Sequence, residues 1–554
     1  MSFFPHPSLP SPWHAQASPQ ATGASAWTQD LTPPVIWSIA GTDSGGGAGL
    51  SADTRAAAAL GVHLCPVVAA VTAQNSLSVQ SVHALPRAQV ESQLWALAAD
   101  LPPRVIKTGL LASVGAMQAL ADCIDALRAD GAFVGLVVDP VLGATSGGAA
   151  FADEALVAAY RRLLLPRATL LTPNRVEAER LLGAAPNAQS VPELAAALRR
   201  LGPQAVCITG GDDAAAGQDL SLDWWDGTIS PWLPELGATR GWLALPRLPT
   251  AHHHGSGCTF ATAASGALAR GFALPDAAIV AKMLTWCALR DGHAAGAGAG
   301  PLRPGPAFCA DRSAMPVMSF GDEPLDAATL GRWGQVLRGE LRREHRDGLY
   351  AISDDPARIA ALAAGGRFAH LQLRAKRRPD ADAVAEEERL RAAIREALAA
   401  ARGAKARLWI NDHWRLALAE GASALHLGQE DWAGLNASER ALLLRGREDV
   451  AGSGLRLGLS SHSLWELARA RGLAPDYIAC GPVWPTTTKD MPWLPQGLAQ
   501  LAWWVRMAGR PVVAIGGILD ADRVVACRRA GASNVCLVRA LDDEHALATT
   551  VRAD

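Results

Sequence analysis

Several stretches of this chain carry residues whose types and spacing could do chemistry. At 251–260 the run AHHHGSGCTF sets three histidines before Gly255, Ser256 and Gly257, and Cys258 then opens a run of small residues. The free N–H groups at a helix start, with the helix dipole behind them, favour an anion, and glycines let backbone approach it closely. A phosphoryl group in transfer carries spread negative charge, which such donors would stabilise. The same field is expected to lower the pKa of the Cys258 thiol. Neighbouring residues do not share one face of a helix or strand, so His252, His253 and His254 are poorly placed to hold one metal ion. The plainer expectation is that one of them packs against the anion loop. A second glycine-rich run, AGTDSGGGAGLSAD at 40–53, lies between an apolar stretch and a helix-like one. It has neither the Walker spacing nor a clean dinucleotide fingerprint, so an ordinary tight turn explains it equally well.

Further along, HLQLRAKRR places Gln372, Arg374 and Lys376 at alternate positions, which share one face of an extended segment. An amide, a guanidinium and an ammonium pointing one way suit a phosphorylated ligand. Asn411 and Asp412 end one apolar run, and Gln429, Glu430 and Asp431 follow the next. Two carboxylates with no Cys or His partner suit magnesium rather than zinc. PTTTK at 485–489 offers the hydroxyls of Thr486, Thr487 and Thr488 and the cation of Lys489, and Gly516–Gly517 would allow close backbone approach.

These residues need elements to position them. From Val35 to Pro301, apolar runs (VIWSIAG, HLCPVVAAVTA, RVIKTGL, FVGLVVDPV, ATLLTP, AVCITGG) alternate with amphipathic stretches near 90–100, 113–129, 153–165 and 192–201. The alternation predicts a parallel sheet with helices on both faces. GAGAGPLRPGPAF breaks the pattern, and 302–346 reads as a linker with short helices. From 347 to 554 the alternation restarts with eight strand candidates, beginning LYAIS and ending NVCLVRA. Eight βα units predict a (β/α)8 barrel, with chemistry at the C-terminal strand ends.

The chain has 554 residues, 49% hydrophobic and 19% charged, with net charge −2. That balance argues against nucleic acid as a partner. No apolar run is long enough for a membrane span, and residues 1–32 read as a disordered tail rather than a signal peptide. Nine cysteines without a C-x-x-C pair suit a reducing cytoplasm. Homo-oligomer formation is left open.

In order across 36–301, AGTDSGGGAGLSAD, VTAQN, IKTGLL, VVDPVLGATSG, LLTPNRVEAERLLG, HGSGCTF and the GAGAGP tail resemble the hydroxymethylpyrimidine/phosphomethylpyrimidine kinases. The resemblance implies a ribokinase-like α/β/α fold and ATP as phosphoryl donor. It implies that Cys258 is catalytic with the amides of Gly255 and Gly257, and that Asp53 and Gln74 contact the pyrimidine. Asn174 and Glu177 would work near Mg2+ and the phosphates. The family's strand-end lysine is absent, Thr209 standing in a TGG turn, and Lys282 matches another lysine near the nucleotide. Across 348–545, Q-x-R-x-K, N-D, G-Q-E-D, S-x-H, P-T-x-T-K and I-G-G-I resemble thiamine-phosphate synthases. This implies that Gln372, Arg374, Lys376, Asn411, Ser460 and Lys489 contact hydroxymethylpyrimidine diphosphate. Asp412 and Asp431 would hold Mg2+, and Thr486, Thr488 and Gly517 would contact thiazole phosphate. Arg539 stands where many members have serine. Two other readings of the first block stay open: a pyridoxal kinase, and a non-catalytic module that senses the pyrimidine.

Overall fold

The computed structural model describes residues 32–143, 153–211, 219–341, 345–446, 454–486 and 495–542. The tail at 1–31, the end of the VVDPVLGATSG run, Thr488 and Lys489 lie outside them. The chain divides into two compact units, Met1–Leu337 and Arg338–Asp554.

The first unit is built on a sheet of ten strands among the described residues. They are β1 (Val35–Gly41), β2 (His63–Gln74), β3 (Val79–Ala84), β4 (Val105–Thr108), β5 (Gly135–Val138), β6 (Leu170–Leu171), β7 (Ala205–Ile208), β8 (Leu220–Thr228), β9 (Ala238–Pro246) and β10 (Val317–Met318). Their order is β10-β9-β8-β7-β6-β5-β4-β1-β2-β3. The period-two alternation of a strand divides β1 between two cores. Trp37 and Ile39 join a cluster with Val90, Leu94, Met117, Leu120, Leu181 and Leu198 from helices on one face. Ser38, between them, bonds instead to the helix Gly49–Leu60 on the other face. The result is the expected α/β/α arrangement.

Only β1, β2 and β4–β7 run parallel. The expected all-parallel sheet is corrected at both edges: β3 pairs antiparallel to β2, and β8, β9 and β10 continue antiparallel from β7. Part of 302–346 is likewise no linker. Val317–Met318 is the edge strand, and Trp333 is buried with Leu220, Leu222, Ala244 and Val317. That apolar edge of β8 and β9 needs a cover, and this segment supplies it.

In the second unit β11 (Gly348–Ser353), β12 (His370–Leu373), β13 (Arg407–Asn411), β14 (Ala424–Leu427), β15 (Arg456–Ser461), β16 (Tyr477–Cys480), β17 (Val512–Ala514) and β18 (Asn534–Leu537) close a barrel. All eight pairings are parallel. Each strand falls where the apolar runs placed it.

Candidate active sites

In the first unit two glycine loops interlock. Gly255 has φ +89, the left-handed region, and caps the helix Ser256–Ala269. A Cβ there would meet the Gly47 carbonyl oxygen at 2.2 Å, and a Cβ on Gly47 would meet the His254 ring at 2.2 Å. Only glycine allows both approaches. The amides of Gly257 and Cys258 fall in the first helical turn, where an α-helix supplies no acceptor. Gly257 is exposed and Cys258 half-buried. The loop and helix start therefore have the backbone form that an anion site requires.

The amides of the other loop are already taken. The Asp43 carboxylate accepts from the N–H groups of Gly45 (2.8 Å), Gly47 (2.9 Å) and Ala48 (2.8 Å). His254 Nε2 lies 3.0 Å from Asp43 Oδ2 and 3.2 Å from Gln74 Nε2. Burial acts to raise the Asp43 pKa, but His254 and these amides together hold it below the ordinary carboxylate value. His254 is thus the histidine that packs against the anion loop, and it joins Gln74 to Asp43. Sequence reasoning passed over Asp43 because its loop read as a glycine-rich tight turn, whereas that turn is a cradle for its own aspartate.

Asp53, expected against the pyrimidine, is placed differently. It is fully buried. Its oxygens accept from Ser38 Oγ (2.6 Å), Thr262 Oγ1 (2.7 Å) and Lys107 Nζ (3.0 Å to each). The carboxylate has no face left for a ligand; it anchors the helix 49–60 to the sheet. The expected lowering of the Cys258 pKa is also corrected. Burial pushes the thiol up to about 12, with Asp53 and Asp139 adding and Lys107 opposing. Desolvation of a thiolate outweighs the helix N-terminus here.

Asn174 and Glu177 form a reciprocal cap on the helix Arg175–Leu182: Asn174 Oδ1 accepts from the Glu177 amide and Glu177 Oε2 from the Asn174 amide. Glu177 Oε1 also accepts from Leu142 N at 3.3 Å. Local structure alone accounts for N-x-x-E. Lys282 is buried, its Nζ 2.7 Å from Asp223 Oδ2, and Asp223 Oδ1 accepts from the amide of Gly210 beside Thr209. Its charge is neutralised by Asp223, so it is not a spare cation for Thr209's turn. The guanidinium at that turn is Arg247, donating to the Gly211 carbonyl at 2.8 Å. Neither Asp223 nor Arg247 was visible beforehand, because both sit on the unforeseen antiparallel strands or just beyond them.

The barrel gathers its residues in one cavity of about 360 Å3. Gln372, Arg374, Asn411, Asp412, Asp431, Ser460, Thr486 and Gly517 line it, with Glu430, His462 and Arg539. Lys376 does not: β12 ends at Leu373, the strand alternation stops there, and Lys376 is exposed. Asp412 adopts φ 61, left-handed for a residue with a side chain, and its N–H donates to the His426 carbonyl at 3.0 Å. Such backbone is typical of functional turns. Burial raises the Asp412 carboxyl to about 7, and the charge of nearby Asp431 adds to it, while Arg374 opposes. Two carboxylates that compete for one proton in an oxygen-rich pocket fit a hard divalent cation such as Mg2+. Asp431 Oδ2 also accepts from Gly428 N at 2.8 Å, which fixes its rotamer.

A hydrogen-bond chain in the cavity wall joins Ser460, Gln372 and Asn411 through His426, Tyr477 and Tyr350, which no motif announced. Ser460 Oγ meets His426 Nε2 (3.0 Å), His426 Nδ1 meets the Tyr477 hydroxyl (2.7 Å), and the two tyrosines Tyr477 and Tyr350 meet at 2.8 Å. Tyr350 donates to Gln372 Oε1 (2.7 Å), and Gln372 Nε2 donates to Asn411 Oδ1 (2.7 Å). With Gln372 set this way, Ser460 donates at one end, Asn411 accepts at the other, and each member between gives one hydrogen and accepts one. His426 then carries its proton on Nδ1, and the Asn411 NH2 is turned to the cavity as a donor.

A family model described as phosphomethylpyrimidine kinase matches residues 43–303, and one described as thiamine monophosphate synthase matches 349–541. The chain is 30% identical over 552 residues to the probable thiamine biosynthetic bifunctional enzyme, chloroplastic, of Oryza sativa subsp. japonica, covering 96% of this chain and 90% of that protein. A thiamine biosynthetic bifunctional enzyme, chloroplastic, of Arabidopsis thaliana is 30% identical over 560 residues, 98% of this chain and 96% of that protein. The hydroxymethylpyrimidine/phosphomethylpyrimidine kinase of Synechococcus elongatus is 42% identical over 274 residues, 49% of this chain and 97% of that protein.

Proposed function

From the premise that the chain belongs to the thiamine biosynthetic bifunctional enzymes, with a hydroxymethylpyrimidine and phosphomethylpyrimidine kinase and a thiamine-phosphate synthase in one polypeptide, we propose how its residues divide the work. The first unit passes the terminal phosphoryl group of ATP to the pyrimidine hydroxyl and then to the resulting phosphate. The amides of Gly257 and Cys258 face the transferring group, and Cys258 takes the proton of the attacking hydroxyl. Gln74, aligned by His254 and Asp43, offers the pyrimidine ring an amide.

In the barrel, pyrophosphate leaves the pyrimidine CH2 with the C–O electron pair, and the thiazole nitrogen supplies the pair that forms the new C–N bond. Asp412 and Asp431 would hold Mg2+, which supplies charge neutralisation for the departing pyrophosphate. Arg374 adds a guanidinium beside it. Gln372 and Asn411, oriented by the tyrosine–histidine chain, position the pyrimidine; Thr486, Gly517 and Arg539 flank the thiazole phosphate. No protein nucleophile is required, because positioning and electrostatics suffice.

One observation carries this reading: side chains from separate strand ends meet in a single cavity with an acidic pair on one side and Arg374 beside it. The test is a one-pot assay of the full chain with hydroxymethylpyrimidine, ATP, Mg2+ and thiazole phosphate. Thiamine phosphate should form, Cys258→Ala should stop it, and added hydroxymethylpyrimidine diphosphate should restore it. Pyridoxal phosphorylation in place of pyrimidine phosphorylation would refute the kinase half of the reading.

A further inference from the structure

The first unit contains a buried charge cluster that the reaction as described leaves idle. Lys107, on β4, is wholly buried, with Nζ 3.0 Å from both Asp53 oxygens and 3.9 Å from Asp139 Oδ2. Asp139 is buried, and its Oδ2 has no hydrogen-bond partner. Thr262, which donates to Asp53, stands four residues after Cys258 on the helix Ser256–Ala269. Residues four apart lie one above the other on a helix face, so Cys258 lies one turn from Thr262 on the side of the anion loop. The ion pair is therefore built beneath the thiol, at the base of the phosphoryl site.

A buried ion pair is a poor way to stabilise a core. Well-packed apolar residues of the same volume usually do as well or better. Its place under Cys258 suggests another use. The groups that act on the sulfur are Lys107 from β4, Asp139 just after β5, Asp53 from the helix 49–60, and the Gly49 amide. Of these, both carboxylates oppose a thiolate, and Lys107 is the one side chain that favours it.

We propose that Lys107, held in place by Asp53, is a positioning residue for the kinase reaction, its buried ammonium supporting Cys258 as the thiolate. The proposal rests on the reading of Cys258 as proton acceptor. Before the transfer, the sulfur has released its own proton to water. In the transfer the substrate O–H bond breaks and its proton goes to the sulfur. The freed oxygen pair forms the bond to the γ-phosphorus, and the bond from that phosphorus to the β–γ bridging oxygen breaks, its pair leaving with ADP. Lys107 keeps its proton throughout.

The test uses the full chain and two readouts. The first is the rate of Cys258 alkylation by iodoacetamide against pH, followed at the Cys258 peptide by mass spectrometry. Lys107→Met should slow it about tenfold or more at each pH below the thiol's pKa, the effect of about one unit in that pKa. The second is steady-state kinase turnover, where kcat should fall about 100-fold with KM for ATP little changed, the scale of a lost acid–base contribution. Lys107→Met leaves Asp53 unpaired and can cost folding, so Lys107→Met/Asp53→Asn, a neutral pair, serves as the second variant. Lys107→Arg, which keeps the charge, should retain most of the alkylation rate. Because Asp53 opposes the thiolate while Lys107 favours it, the neutral-pair variant is read against Asp53→Asn alone, and an unchanged alkylation profile between those two would overturn the proposal. Full kinase turnover in Cys258→Ala would instead overturn the reading of Cys258, and the alkylation result would still stand apart from it.

Discussion

The two sites handle charge in opposite ways. In the kinase unit the charged side chains near the loops are already partnered and mostly buried: Asp53 with Lys107, Asp43 with His254, Asp223 with Lys282. What the loop itself presents is backbone, the amides at the start of the helix Ser256–Ala269. In the barrel the ionisable groups themselves, Asp412, Asp431, Arg374 and Arg539, line the cavity. The difference follows from the elements. A helix N-terminus after a glycine loop presents its own donors, so its side chains are free to build the support. A strand end presents side chains, so its support must come from the barrel interior, here the chain from Ser460 to Asn411. Carboxylates of the same type are therefore placed differently: Asp53 ties elements together in the core, and Asp431 lines a cavity.

The largest expected effect tests that division directly. Asp412→Ala or Asp431→Ala should lower thiamine phosphate formation from supplied hydroxymethylpyrimidine diphosphate about a thousandfold, the scale of losing a central electrostatic stabiliser, while ATP-dependent pyrimidine phosphorylation stays intact. Separate assays of the two steps on each variant check it, and near-normal synthase turnover would break the comparison at its barrel end.

The next effect concerns where each unit stops. A cut at 306–310 should leave an insoluble kinase piece, because it strips Val317–Met318 and Trp333 from the apolar edge of β8 and β9. A cut after Gly339 should leave both pieces soluble and active. Expression and activity of the two pairs of fragments decide between these outcomes.

Asp53→Asn should destabilise the kinase unit by about 3 kcal/mol, since it removes the carboxylate bonded to buried Lys107 and leaves only Asp139, 3.9 Å away, as counter-charge. Asp431→Asn should leave barrel stability nearly unchanged. Denaturant unfolding of the two variants would show the contrast, and equal losses would erase the distinction between a structural and a functional carboxylate.

A smaller effect is expected from Tyr477→Phe, which interrupts the chain between His426 and Tyr350. One net hydrogen bond is worth about 1 kcal/mol, so KM for the pyrimidine diphosphate should rise roughly fivefold, a little under one decade for that energy. An unchanged KM would mean that the chain supports the barrel without orienting Gln372 and Asn411.

The smallest effect is a pH dependence. Folding raises the Asp412 carboxyl from 3.8 to about 7. The folded chain then holds a proton that the unfolded chain has released, so this contribution to stability is complete below pH 3.8 and is lost as pH rises toward 7. The full shift would be worth about 4 kcal/mol, but Asp412 is exposed and solvent screening cuts this to ~1 kcal/mol, so in chelator the thermal midpoints of the wild type should fall relative to Asp412→Asn across that window by a few degrees. Added Mg2+ should narrow the gap for the wild type alone. Parallel curves for the two proteins would place the carboxyl at its ordinary value.

Much of this molecule was legible before its structure. All eight barrel strands and β1, β2 and β4–β7 were readable, because a strand buried on both faces is a continuous apolar run that stands out from its neighbours. Strands β8 and β9 were not, since LDWWDGT and ATRGWLALP mix charge with bulk, and their pairing partner is chosen across space. Gln372, Arg374, Asn411, Asp412, Asp431, Thr486 and Gly517 were named from strand ends, Ser460 from the resemblance alone, and all share one cavity. Lys376 failed because the alternation was carried three residues past the end of its strand. His254 and Asp43 are 211 residues apart, and no local pattern couples them.

Residue order by itself marked the barrel strands and the parallel strands of the first sheet, with most of the side chains near their ends, because periodicity and turn chemistry are local. Only the tertiary structure decided which of those side chains face a ligand and which face each other. Asp53 and Asp431 are alike on paper. The first meets Lys107, Ser38 and Thr262 from three other elements and is sealed, while the second lines an open cavity beside Asp412. That choice depends on contacts between elements far apart in the chain, which fix burial and pairing only after the layers and the barrel have closed.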